Sequence, residues 1–348
     1  MSLKTSTTAG SPSGSPSCSF SFLSVCSGIE AASVAWEPLG GKAVGFAEIE
    51  KFPSAVLAHH WPDVLNLGDM TKHNDWPASL RPDLIVGGTP CQAFSVAGLR
   101  KGLEDPSGNL TLVFLGILAQ FRPRWVVWEN VPGVLSDKTG AFGAFLGGLG
   151  ELGYGFAYRI LDAQHFGVPQ RRRRVFVVAN LGSWQRAGAV LFEPESLRGD
   201  HPPRREAGQG IAPTLSARTK GGGGLGTLRA REQDSHENLA VAYRTSGNCG
   251  AWETGDKTDA LTTATDPFNH VLRTTAAVRR LTPRECERLQ GFPDDHTLIP
   301  WRGKMGSDGP RYKALGNSMA VPVMRWIGER ISQMNAKSAG TDASEKNA

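Results

Sequence analysis

Of the five cysteines, Cys91 is the one whose neighbours suggest chemistry. It closes the stretch Leu84-Ile85-Val86-Gly87-Gly88-Thr89-Pro90-Cys91-Gln92, an apolar run that enters a Gly-Gly-Thr-Pro turn. A lone cysteine is most often a small buried hydrophobe. A thiol at the mouth of a strand can instead act as a nucleophile. Glu129 sits in an equivalent place, directly after Trp125-Val126-Val127-Trp128. Gly28, Glu48 and Asp69 also follow short apolar runs. Four consecutive arginines, Arg171 to Arg174, lead into Val175–Ala179. Alternation along a strand gives Arg172 and Arg174 one face and Arg171 and Arg173 the other, so the first two could point into a cleft.

The elements that would carry these groups alternate. Strand candidates are Phe20–Val25, Ala43–Glu48, Asp63–Leu67, Leu84–Gly87, Trp125–Trp128, Tyr154–Leu161 and Val175–Ala179; helix candidates are Ile29–Trp36, Lys51–His60 and Asn109–Phe121. Such alternation predicts an α/β fold with a doubly wound parallel sheet, whose ligands gather beyond the carboxyl ends of the strands. Gly28, Glu48, Asp69, Cys91 and Glu129 then share one rim. Cys26-Ser27-Gly28-Ile29 reads as a strand-to-helix turn that lets a ligand approach the backbone, and Glu48 as an acid for a ribose hydroxyl, with helix capping as its bland alternative.

The chain is long enough for one large core and a smaller domain, since single cores stop growing at about 250 to 300 residues. From about Leu181 to Val278 the composition shifts to Gly, Thr and Ser, with arginines and lysines among them. This predicts a disordered arm over 1–18, a main domain over 19–180 and 279–334, a loop-rich domain over 181–278 and a disordered tail over 335–348. Thr282, Pro283 and Glu285 form a capping-box pattern for a helix ending near Gly291. Gly316-Asn317-Ser318-Met319 is expected to open a last helix to about Ile331. Thirty-eight Lys plus Arg against 33 Asp plus Glu is a modest basic excess that permits an anionic partner. The odd, scattered cysteines suggest neither disulfides nor a zinc site, and no apolar run reaches the ~20 residues of a membrane span, so a reducing cytoplasm is expected.

Taken together, these residues resemble the DNA (cytosine-5)-methyltransferase family from Phe20 to Ile331. Pro90-Cys91-Gln92 is similar to its nucleophile motif, Glu129-Asn130-Val131 to its acid motif and Gln170-x-Arg172-x-Arg174 to its arginine motif. Arg279 to Pro293 and Gly316-Asn317-Ser318 resemble its closing motifs. The resemblance implies a Rossmann-like sheet with a target-recognition domain over 181–278, where Thr214-Leu215 and Thr262 are weak base-reading candidates. It implies S-adenosyl-L-methionine as cofactor, S-adenosyl-L-homocysteine as product and no metal. Cys91, Glu129, Arg172 and Arg174 would be catalytic. Cys26, Ser27, Gly28, Ile29, Glu48, Ile49, Asp69, Met70, Pro90, Leu110, Asn317, Ser318 and Met319 would hold the cofactor, and Gln92, Ser95, Asn130 and Gln170 the substrate. In this picture Arg172 orients Glu129, Arg174 grips the base and phosphate, and Gln92 to Asn109 closes over a flipped cytosine.

Double-stranded DNA is the implied partner. A separate restriction endonuclease is a further candidate, with no nuclease motif evident in this chain. Two departures stand out: Glu30 takes the place of a family glycine after Gly28, and Ile49 that of an aromatic residue. An RNA cytosine-5 methyltransferase of the same fold and a non-catalytic DNA-binding regulator are the alternatives. A cysteine hydrolase using His165 leaves Gly28, Glu48, Asp69 and the closing motifs unexplained.

Overall fold

A computed structural model of the chain describes residues 20–89, 110–136, 138, 140–193, 241–244, 270–273 and 278–345; residues 241–244, 270–273, 278–280 and 338–345 are described as backbone only. At its centre is a six-stranded sheet of order β2-β1-β3-β4-β6-β5. The strands are β1 (Phe20–Val25), β2 (Gly41–Ala47), β3 (Leu84–Gly87), β4 (Trp125–Asn130), β5 (Tyr154–Asp162) and β6 (Arg173–Leu181). β1 to β4 pair in parallel, whereas β6 runs antiparallel to both β4 and β5. The sheet is therefore mixed, which corrects the all-parallel expectation. A strand buried on both faces has the same apolar composition in either direction, so its residues do not announce its sense.

Successive residues of the central strands feed two separate cores. Leu84, Val86, Trp125, Val127, Phe176 and Val178 pack on one side with α1 (Ala31–Trp36), α5 (Trp184–Leu191) and α8 (Val321–Glu345). Ile85, Val126, Trp128, Val175 and Val177 pack on the other with α3 (Leu110–Phe121) and α4 (Ala141–Glu151). This is a three-layer α/β arrangement. Trp36 locks the first side: its indole donates to the Met324 carbonyl at 2.6 Å.

Residues 63–67 do not form a strand. They contribute a single bridge, Asn66 to Phe46, while Leu65 is exposed and offers no apolar face to the core. The boundary expected at 181 also moves. α5 buries Ala187, Val190 and Leu191 in the main core, so that core extends past it. Within 241–280, β7 (Val241–Arg244), β8 (His270–Arg273) and β9 (Val278–Arg280) form a small antiparallel sheet.

The capping box is present at α6 (Pro283–Gln290), where the Thr282 amide donates to Glu285 Oε2 at 2.7 Å and the Glu285 amide to Thr282 Oγ1 at 3.3 Å. Behind it Glu287, fully buried, accepts from the Thr297 amide at 2.9 Å, the Asp295 amide at 2.7 Å and Arg311 at 3.2 Å. Gly316-Asn317-Ser318-Met319 does not open a helix. It joins α7 (Asp308–Asn317) to α8, with Ser318 as the C-cap of the former. α8 continues to Glu345, past the predicted start of the tail, and is held there by Trp125, whose indole donates to Asn335 Oδ1 at 2.9 Å.

Candidate active site

The strand order reverses at β1, with β2 on one side and β3 on the other, and a crevice opens beyond their carboxyl ends. The turn after β1 holds Cys26 at φ 54° and Gly28 at φ 58°. Among the described residues a Cβ on Gly28 would meet nothing within 4 Å, so the backbone there leaves space for a ligand. The Gly28 amide donates to Glu48 Oε2 at 2.8 Å and the Glu50 amide to Glu48 Oε1 at 2.7 Å, which fixes the carboxylate at the end of β2. Desolvation raises the Glu48 pKa against these hydrogen bonds. Beside it Ile49 is 69% exposed.

Cys26 contacts Met70 Sδ at 3.5 Å, and burial together with the charges of Glu48 and Asp69 pushes its thiol up to about 12. That thiol is no nucleophile at neutral pH. Asp69 Oδ1 accepts from the Thr71 amide and hydroxyl at 2.9 and 2.8 Å and so caps the turn that begins at Met70. Ile29 and Met70 are buried, and Leu110 is the first residue of α3.

At the end of β4, Glu129 is 8% exposed and its Oε1 lies 3.2 Å from Arg174 Nε. Burial raises the carboxyl pKa; Arg174 and then Arg172 oppose that rise. Gly88 leaves room for this acid, since a Cβ there would lie 3.2 Å from Glu129 Oε2 and 3.3 Å from Met319 Cε. The next residue, Thr89, is tied to β4 twice. The Trp128 indole donates to its hydroxyl at 3.1 Å, and Asn130 Nδ2 donates to its carbonyl at 3.0 Å. Asn130 Oδ1 accepts from the Val131 amide at 2.9 Å, so its amide holds the backbone that leads toward position 91.

The two arginines divide the work. Arg172 is buried and donates to the Ser318 carbonyl at 2.6 Å and the Gly316 carbonyl at 3.3 Å, stitching the β5–β6 turn to the α7–α8 junction. Its pKa is lowered to about 9, first by burial and then by Arg174, while Glu129 raises it. The ion pair with Glu129 belongs to Arg174. Arg171 and Arg173 are exposed, as strand parity predicts. Gln170 is wholly buried, and among the described residues neither of its amide atoms is hydrogen-bonded.

Gly28, Glu129, Ser318 and Met319, with Cys26, Ser27 and Asn317, line one cavity of ≈ 40 Å³ at the foot of the crevice. Pro90, Cys91, Gln92, Ser95, Thr214, Leu215 and Thr262 lie outside the described residues. Sequence reasoning passed over Gly88 and Thr89 as site residues, although a Gly-Gly pair between a strand and Pro90 is the signal of a close backbone approach. Among the described residues no group of three or more His, Cys, Asp or Glu is placed to hold a metal ion. Likewise, no helix among them is long and apolar enough to cross a membrane.

The family model for C-5 cytosine-specific DNA methylases matches residues 20–333. The chain belongs to this family. The chain is 39% identical to a protein of Escherichia phage P1 named DNA N-6-adenine-methyltransferase, over 89% of this chain and 61% of that protein. It thus spans about three-fifths of that relative's length. It is 30% identical to the type II methyltransferase M.DsaV of Dactylococcopsis salina, over 89% of this chain and 85% of the relative. The crystal structure of the Schizosaccharomyces pombe Dnmt2 methyltransferase superposes with a TM-score of 0.54 at 16% identity, covering 90% of this chain and 98% of that one. At that identity the likeness speaks for the fold.

Proposed function

We propose that this methylase flips a cytosine from duplex DNA and transfers a methyl group from S-adenosyl-L-methionine to its carbon 5 through a covalent Cys91 adduct at carbon 6. The observation that carries the reading is the buried Glu129–Arg174 pair at 3.2 Å, whose Glu129 lines the same cavity as the Gly28 turn. The residues fit the methyl donor. Gly28 offers unobstructed backbone, Glu48 presents a fixed carboxylate at the end of β2 for ribose hydroxyls, and exposed Ile49 gives an apolar wall for the adenine. Asp69, Met70, Leu110 and Ser318 are proposed to complete that pocket. When bound, the donor supplies an electrophilic methyl group.

Carbon 5 of cytosine is too weak a nucleophile to attack that methyl unaided. Addition of the Cys91 thiolate at carbon 6 makes the ring enamine-like, and Glu129 holds it at N3 and the 4-amino group as charge develops. Arg174 keeps Glu129 oriented and lies within reach of the 2-oxygen side, while Arg172 keeps the arginine turn docked on the closing motif. Loss of the carbon-5 proton and of Cys91 restores aromaticity. Extrusion of the base costs a few kcal/mol, and the segment Gln92 to Asn109 is proposed to cover it.

Cys91→Ser is expected to abolish transfer and leave DNA binding intact, and 5-fluorocytosine in target DNA to trap a covalent complex. Normal turnover by the serine variant would refute the adduct. Sequencing DNA from a methylation-free host expressing the chain, with separate readouts for 5-methylcytosine and N6-methyladenine, identifies the product and the site. The name of the phage P1 relative makes the adenine arm necessary, and methylated adenine without methylated cytosine would overturn the reading. Methylation of RNA with DNA left untouched would favour the RNA alternative.

A further inference from the structure

Glu30 stands where the family pattern has glycine, and its backbone has glycine's conformation, φ 64° and ψ 63°. A left-handed backbone at a non-glycine residue is uncommon and points to function. The side chain is 1% exposed. Oε1 caps α1, accepting from the Ser33 amide at 3.0 Å and the Ser33 hydroxyl at 3.3 Å. Among the described residues Oε2 is buried and makes no hydrogen bond of good geometry, although the Ser24 hydroxyl lies near enough to the carboxyl to favour its charge. No salt bridge reaches this carboxyl among the described residues, whereas Glu129, lining the same cavity, is paired with Arg174. Burial pushes the Glu30 pKa up to about 7 against the Ser24 hydroxyl and the Ser33 amide and hydroxyl. A cation alongside would hold it ionised.

The position of the cavity selects the cation. Ser24, Gly28, Glu30, Glu129, Ser318 and Met319 line it, while Glu48 and Asp69 do not. The adenosine end of the donor is assigned to Glu48 and Ile49, and the sulfur must face carbon 5 of the base, next to the 4-amino group assigned to Glu129. The amino-acid end attached to that sulfur is therefore the part that reaches Glu30. At ≈ 40 Å³ the cavity has room for a group of ammonium size.

We propose that the Glu30 carboxylate receives the α-ammonium group of the methyl donor through Oε2, a positioning role this chain has placed on a residue where a glycine offers no side chain. The inference rests on the S-adenosyl-L-methionine reading above. Its test is calorimetric titration of the full chain with S-adenosyl-L-homocysteine and with the analogue in which the α-amino group is replaced by hydrogen. Glu30→Gln keeps an acceptor for Ser33 and removes the charge. It is expected to weaken S-adenosyl-L-homocysteine at least tenfold and to leave the deaminated analogue within twofold of the parent. Glu30→Gly, which suits the left-handed backbone, gives the same pattern and covers the case in which the glutamine fails to fold. Equal weakening of both ligands, or none, overturns the proposal and leaves Glu30 as a helix cap. Failure of the parent protein to bind S-adenosyl-L-homocysteine at all overturns the cofactor reading itself, and this inference with it.

Discussion

Replacing Arg174 by methionine should make the protein's stability depend more steeply on pH. Arg174 and Glu129 lie 3.2 Å apart with side-chain exposures of 15% and 10%. Removing one partner of a buried pair costs about 3–5 kcal/mol because a charge is left alone. The carboxyl has a cheaper course, which is to take up a proton. Its pKa is already raised by burial, and Arg174 is the larger of the two charges holding it down, so the variant raises it further. An acid whose folded pKa lies above its unfolded value contributes stability below the unfolded value, near pH 4.5, and that contribution is lost as pH rises through the folded value.

The cost of Arg174→Met is therefore small near pH 5. It grows by up to ~1.4 kcal/mol per pH unit until the variant's own carboxyl ionises. With the residual exposure of the pair, we take about 3 kcal/mol as the cost at pH 8. At ~2–4 °C per kcal/mol this lowers the melting temperature by about 6–12 °C. Thermal unfolding of parent and variant at pH 5 and pH 8 measures it. In a Glu129→Gln background the pH-dependent part should vanish. An offset of the same size at both pH values in the Glu129 protein would refute the reasoning.

Thr282→Ala removes the capping-box hydroxyl and is expected to cost about 1 kcal/mol, read from chemical denaturation, while Thr282→Ser costs less. Glu287→Ala removes the most buried acceptor of Arg311, which keeps only the longer contacts to Asp295 and Asp308, and strands the Asp295 amide and the Thr297 amide and hydroxyl. It should destabilise by about 3 kcal/mol or more, and soluble expression with an unchanged denaturation midpoint would count against that network. Glu48→Ala should weaken S-adenosyl-L-homocysteine at least tenfold by titration with little change in melting temperature. Affinity for duplex DNA should fall with salt in proportion to the phosphates neutralised, and a flat response between low and moderate salt would speak against phosphate contacts.

The legible parts of the fold were those where one local force decides. β1, β3 and β4 declared themselves because both faces are buried, and α6 because Thr282, Pro283 and Glu285 leave little alternative at its start. The parity of Arg172 and Arg174 followed from strand geometry alone. What escaped was set by partners distant in sequence. Nothing local tells β6 to run against its neighbours, and Leu65 looks like a strand residue although it finds no core to enter. Asn317 and Ser318 read as the start of a helix, but Arg172 pulls the Ser318 and Gly316 carbonyls toward the arginine turn and fixes a junction there instead. Asn130 stood out in the sequence as a candidate for holding substrate; its attachment to the Thr89 carbonyl was not legible, because that depends on how β3 and β4 align.

The bond from Trp36 to the Met324 carbonyl joins residues 288 apart. A ribosome adding roughly 5–20 residues per second needs about 15–60 s to pass from one to the other. During that interval the first helix and the sheet face beneath it lack the helix that covers them. Nascent chains halted before Val321 should therefore be cut readily by protease and bound by chaperones, whereas release of the full chain should bring resistance in one late step. A resistant core in the halted chains would show that the sheet can be sealed without its last helix.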